Sequence, residues 1–232
     1  MAHTVAANLE AVTFDCYGTI VDWERGLLDS LSPLLRRHHC ERPPEEVLAL
    51  YARLEAEAEA GPFRPYRQVL GQVVASLGSE LGFTPTQGER SVLVESLPRW
   101  PPFPDSVPAL RTIGARHALA VISNVDDDLF AGTCARLGWS PHLVVTAQSV
   151  GHYKPDPSMF SAALHRLDLR PPQVLHVGCS RFHDIAPAAA AGMRTCLVDR
   201  RAGGSGGATP ASSARADLTV RDLGALARIL GQ

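Results

Sequence analysis

Apolar residues follow two different spacings along this chain. Between residues 26 and 100 they recur at helical intervals: Val47-Leu48, Leu50-Tyr51 and Leu54, then Tyr66, Val69-Leu70, Val73-Val74 and Leu77. Pro43-Pro44 followed by Glu45-Glu46 predicts a helix start, with acids at the positive end of the helix dipole. Gly61-Pro62 and the stretch from Gly82 to Pro85 predict breaks between helices. After Pro101-Pro102 the spacing changes. Short apolar runs at 118–123, 143–146, 174–177, 195–198 and 217–220 predict strands. Between and after them, 127–137, 157–167, 184–191 and 223–230 predict helices, and the low-complexity 203–213 stretch predicts a solvated loop.

Strands alternating with helices predict an α/β fold built on a doubly wound parallel sheet. Its first strand is the buried run Ala11-Val12-Thr13-Phe14, so the helical segment is an insertion of about 75 residues between that strand and the rest. The expected division is a core of residues 1–22 and 101–232 with an all-helical domain at 23–100, hinged near Val21-Asp22-Trp23 and Pro101 to Pro104. An insertion so close to the first strand end is placed to act as a lid over whatever chemistry sits there.

Bulk properties narrow the partners. The formal charge of −2 gives no reason to expect nucleic acid or an anionic membrane surface. No apolar run approaches the roughly 20 residues of a membrane span, and Met1-Ala2-His3-Thr4 lacks the basic and apolar parts of a signal peptide. Five cysteines without close pairing fit a reducing cytoplasm, which is the expected location. No Cys-x-x-Cys or His-x-x-x-His cluster predicts zinc.

Candidate chemistry gathers after the strands, where loops of an open parallel sheet converge on one edge. Asp15 follows the first strand in Phe14-Asp15-Cys16-Tyr17-Gly18-Thr19, with Gly18 and Thr19 forming a tight turn. A carboxylate buried there costs several kcal/mol unless it is paired or used, which makes Asp15 the candidate nucleophile. Ser123-Asn124 follows the second strand and offers donors to an anionic or carbonyl oxygen; capping the next helix is the alternative role. Lys154, between Tyr153 and Pro155, can keep neighbouring carboxylates ionised. Asp184, behind Cys179-Ser180-Arg181, is a metal ligand, a partner for the lysine or a group that positions water. His183 beside it is expected to pack or hydrogen-bond.

Asp15, Ser123, Lys154 and Asp184 together resemble the four motifs of the haloacid dehalogenase superfamily, in the right order over essentially the whole chain. The resemblance implies a Rossmann-like core with a small helical cap. It also implies a hydrolase that works through an aspartyl intermediate. Tyr17 stands where the superfamily's phosphatases carry a second Asp as general acid and base, and Cys179 stands where they carry a further carboxylate. Both positions are similar to the 2-haloacid dehalogenases. The resemblance then implies metal-free conversion of a short 2-haloacid to a 2-hydroxy acid. Asp15 displaces halide, Lys154 steadies it, and water near Asp184 opens the ester. Catalytic roles fall to Asp15, Ser123, Lys154 and Asp184. Substrate contacts fall to Cys16, Tyr17, Thr19, Asn124, Ser180 and a cap arginine, with Arg53 chosen ahead of Arg64 and Arg67. The partner is a small anionic substrate, and a homodimer is expected by analogy. The alternatives are a phosphatase holding Mg²⁺ on Asp15, the Tyr17 carbonyl and Asp184, or a non-catalytic relative that binds a metabolite. Arg181 departs from the dehalogenases' Asn and Phe160 from their Tyr; Arg181 is expected either to bind an anion or to pair with Asp184.

Overall fold

The computed structural model describes residues 8–200 and 212–231, so most of the expected 203–213 loop lies outside the described residues. Six strands, β1 (Ala11–Phe14), β2 (Ala118–Ser123), β3 (Leu143–Thr146), β4 (Val174–Gly178), β5 (Arg194–Val198) and β6 (Leu218–Val220), form one parallel sheet in the order β3-β2-β1-β4-β5-β6. All four β1 residues are fully buried, as a central strand covered on both faces requires. Side chains alternate across it. Val12 and Phe14 join the core under α6 (Ser106–Gly114), α7 (Asp127–Leu137) and α11 (Leu223–Leu230). Ala11 faces the opposite layer, where α9 (Pro157–Leu167) and α10 (Ala186–Ala190) pack Met159, Phe160 and Ala188 on the sheet. The chain therefore winds doubly, with the order reversing beside β1, where such sheets bind ligands.

The insertion is helical as expected: α1 (Trp23–Arg37), α2 (Pro44–Glu59), α3 (Tyr66–Leu81), α4 (Gln87–Arg90) and α5 (Val92–Ser96). Pro44 opens α2 and Gly82, in left-handed conformation, closes α3. The four-residue α8 (Ala147–Val150) directly follows β3. Where the chain leaves and re-enters the core, its two strands pair: the Asp22 N–H donates to the Pro101 carbonyl at 2.8 Å and the Phe103 N–H to that of Ile20 at 3.0 Å. Leu27, Leu31, Tyr51 and Leu70 of the cap share one continuous hydrophobic cluster with the sheet face under α7.

One region departs from the expected 184–191 helix. Residues Arg181–Ile185 form a wide π-type turn, in which the Ser180 carbonyl accepts from both Asp184 N–H (3.0 Å) and Ile185 N–H (3.1 Å); α10 follows with Pro187 in its first turn. Such widened turns recur at functional sites. No helix among the described residues is long and apolar enough to cross a membrane.

Asp126 ties cap to core. Completely buried in the loop after β2, it accepts from the backbone N–H of Tyr66 (2.7 Å) and Arg67 (3.0 Å) and from Arg67 Nε (3.0 Å). It thus satisfies the first orphan donors of α3 from another domain, as an N-cap side chain would. Tyr153 adds a second tie, its hydroxyl donating to the Arg64 carbonyl at 2.7 Å. Substituting Asp126→Ala leaves those donors without their acceptor and should lower stability by about 1–3 kcal/mol, measured by urea unfolding. An unchanged midpoint would mean that the cap is held by apolar packing alone.

Candidate active site

The register of the central strands dictates where the charges meet. Phe14 is level with Val121 on one side and Val177 on the other, so Asp15 leaves the sheet beside Gly178, its N–H bonded to the Val177 carbonyl at 2.8 Å. Gly178 has no side chain for a reason: a Cβ there would lie 2.4 Å from the Asp184 carboxyl. Asp15 and Asp184 thereby flank the reversal point of the sheet. Lys154, from the loop before α9, reaches between them, with Nζ 2.8 Å from Asp15 Oδ1 and 2.7 Å from Asp184 Oδ1. The three side chains are 9%, 1% and 2% exposed for Asp15, Asp184 and Lys154.

Further donors complete the network. Thr19 Oγ1 donates to Asp15 Oδ2 at 2.8 Å, and the Ser180 N–H to Asp184 Oδ2 at 3.0 Å. His176 joins Asp184 Oδ1 (3.4 Å) to the Thr13 hydroxyl (2.9 Å), its ring edge-on to Phe160. Burial alone raises a carboxyl pKa, but Lys154 and His176 overcome it at Asp184 and hold that group below the usual carboxylate range. At Asp15 burial wins, opposed by Lys154 and helped by Asp184, and its pKa lies above the ordinary value. Lys154 loses from burial and gains more from its two carboxylates, so it stays charged.

Most of the residues singled out in the sequence come together. Asp15, Tyr17, Ser123, Asn124, Lys154, Ser180 and Asp184 line one cavity of about 90 Å³ with Trp23, Glu55, Glu59, Tyr66, Cys179 and His183. Ser123 Oγ is buried there with no hydrogen-bond partner among the described residues. Their contacts refine the expectations. Asn124 caps no helix; its amide oxygen accepts from the Lys154 N–H (2.7 Å) and its Nδ2 donates to the Lys154 carbonyl (3.2 Å), clamping the lysine loop. Thr19 and Ser180 spend their donors on Asp15 and Asp184, and the Ser180 hydroxyl also accepts from the His183 N–H at 2.9 Å. Cys16 is buried in the core.

The Tyr17 hydroxyl turns away from Asp15 to Thr133, 2.9 Å distant, and its ring stands edge-on to Trp100. Arg53 is not brought to the site: it is exposed and paired with Glu57 and Glu80 on the outside of the cap. Arg67 pairs with Asp126 and Asp128, and Arg64 bonds the Ala58 carbonyl. Arg181 neither pairs with Asp184 nor enters the cavity; it is exposed and donates to the Ala214 carbonyl at 2.7 Å. The missed residues are Glu55 and Glu59, the cap's charged contribution to the cavity.

Asp15, Cys179 and Asp184 place three potential ligand atoms within 4.8 Å of one another. Mg²⁺ is a poor match for this set. It needs hard oxygen donors in near-octahedral array, whereas burial and the flanking Asp15 and Asp184 keep the Cys179 thiol protonated.

A family model for haloacid dehalogenase-like hydrolases matches residues 9–192. The chain belongs to that family. Among solved structures, the L-2-haloacid dehalogenase PA0810 superposes with a TM-score of 0.82 at 26% identity, covering 96% of this chain and 98% of that one. The L-2-haloacid dehalogenase from Xanthobacter autotrophicus matches with a TM-score of 0.82 at 20% identity, covering 96% and 98% of the two chains. Among characterised relatives, (S)-2-haloacid dehalogenase 1 from Pseudomonas sp. (strain CBS-3) is 23% identical over 200 residues, 83% of this chain and 85% of that protein. Phosphoserine phosphatase from Thermus thermophilus is 32% identical over 189 residues, 75% and 70% of the two chains.

Burial pushes the His183 imidazole down from 6.5 to about 4, with Asp184 opposing and Lys154 reinforcing. The unfolded chain therefore takes up this proton before the folded one. Stability contributed by neutral His183 is present above about pH 6.5 and is lost as pH falls towards 4. Urea midpoints measured across that window should fall in this haloacid dehalogenase-like hydrolase and fall less in His183→Gln. Parallel profiles would place the acid sensitivity elsewhere.

Proposed function

We propose that this chain is a hydrolase in which Asp15 attacks a saturated carbon and displaces halide from a short 2-haloacid without a metal. The observation that carries the reading is the neighbourhood of Asp15. Lys154 and Thr19 hold its two oxygens, while the Tyr17 phenol is engaged with Thr133 and offers no acid to a leaving group. Burial, above all, keeps that phenol's pKa well above 10. An alkoxide leaving from a phosphate ester needs a proton from such an acid; a halide does not.

An Asp15 oxygen forms the new C–O bond as the carbon–halogen pair leaves with halide. Lys154 orients the nucleophile, and the unpaired Ser123 hydroxyl together with the turn amides of Cys16 and Tyr17 receives the substrate carboxylate. Water beside ionised Asp184 then attacks Cγ of Asp15, releasing the 2-hydroxy acid and one proton and restoring the carboxylate. The cap excludes bulk water while the ester exists.

A phosphatase reading is the second, supported by the 32% identity to phosphoserine phosphatase from Thermus thermophilus. Both are tested together by following halide and phosphate release from panels of 2-haloacids, each enantiomer separately, and small phosphate esters, with and without EDTA. The expected result is EDTA-insensitive halide release, lowered roughly a thousandfold or more in Asp15→Asn. EDTA-sensitive phosphate release with no halide would overturn the dehalogenase reading.

A further inference from the structure

The cavity carries more acidic side chains than the reaction needs. Glu55 and Glu59 lie one turn apart on α2 and line both the inner cavity and an adjoining cleft of about 690 Å³ that opens along the cap–core seam. The Tyr51 and Tyr66 hydroxyls both donate to Glu55 Oε1, at 2.7 and 2.6 Å, an arrangement suited to a carboxylate. Among the described residues no hydrogen bond or ion pair engages Glu59. Among the described residues no arginine lines either space, and Lys154, the single ammonium there, is already committed to Asp15 and Asp184. Burial and the repulsion of Glu55, opposed by Lys154, push the Glu59 carboxyl up to about 9, so it keeps its proton until a cation enters beside it. Trp23 and Tyr66 add aromatic rings to the same wall, and rings of this kind attract cations.

A second observation points to a ligand independently of these acids. Ser123 Oγ, at the end of core strand β2, is completely buried in the cavity and has no hydrogen-bond partner among the described residues. Native structures rarely leave such a group without one. We propose that the substrate carries an ammonium group, which docks between Glu55 and Glu59 while its acidic end faces Ser123. The Glu pair then takes the place in substrate selection that a cap arginine was expected to fill, and it selects a zwitterion over a simple haloacid. Among the described residues no third His, Cys, Asp or Glu joins Glu55 and Glu59 as Cys179 joins Asp15 and Asp184.

The inference rests on the reading that Asp15 and Ser123 face the substrate, but its test needs no chemistry. 4-Aminobutyrate and pentanoate differ only in ammonium against methyl, and neither has a leaving group. Calorimetric titration of the full chain should give at least tenfold tighter binding of 4-aminobutyrate, equivalent to about 1.4 kcal/mol. Glu59→Gln, a near-isosteric change at a partly exposed position, should remove that preference, and Glu55→Gln should reduce it. Equal or tighter binding of pentanoate to the wild type, or a preference that survives in Glu59→Gln, would overturn the proposal. Halide release from 2-chloro-4-aminobutyrate and 2-chloropentanoate is then compared. A binding preference without halide from either overturns the dehalogenase reading and leaves the ammonium site in place.

Discussion

One buried ammonium organises this molecule. Removing two carboxylates from water costs several kcal/mol for each, and Lys154 opposes that cost at both, standing 2.8 Å from Asp15 and 2.7 Å from Asp184. The remaining negative charge is met by fixed donors: the Thr19 hydroxyl, the Ser180 N–H and His176. Asp15, Lys154 and Asp184 come from three different strand ends, so the network exists only when β1, β4 and the loop beyond β3 are in register. The same constraint explains Gly178, the wide turn at Arg181–Ile185 and the two-sided grip of Asn124 on the lysine backbone. What results is an Asp15 carboxyl held in place, and a network in which no member can shift alone.

The core was legible because its signals are local and redundant. A fully buried parallel strand reads as an unbroken apolar run, and those at 11–14, 118–123 and 143–146 have the same bounds in sequence and structure. The helix at 184–191 was less legible, since the deciding bonds are the paired donations to the Ser180 carbonyl rather than any propensity. The residues singled out at strand ends converge on one cavity because topology sends them all to one edge.

The cap was legible as helices but not as a wall of the site. Arg53 was chosen for its charge, yet it sits two residues, about 200° around the helix, from both Tyr51 and Glu55. Tyr51, Glu55 and Glu59 recur every fourth residue, and Tyr51 is an inward position. That spacing was the signal for the acidic face. Asp126 was missed for a different reason: in a run of three aspartates only the tertiary structure tells which one meets α3. The acidic cap face and the Tyr17 phenol bonded to Thr133 lie within a fold that solved L-2-haloacid dehalogenases share at TM-scores near 0.82.

The central claim is that Asp15 itself donates the oxygen that ends in the product. A single turnover with enzyme in excess, run in H₂¹⁸O on a 2-haloacid that releases halide, tests it directly. The account predicts ¹⁶O in the first-formed hydroxy acid and one ¹⁸O in the Asp15 peptide, read by mass spectrometry. Solvent ¹⁸O in the product with none in Asp15 would contradict it.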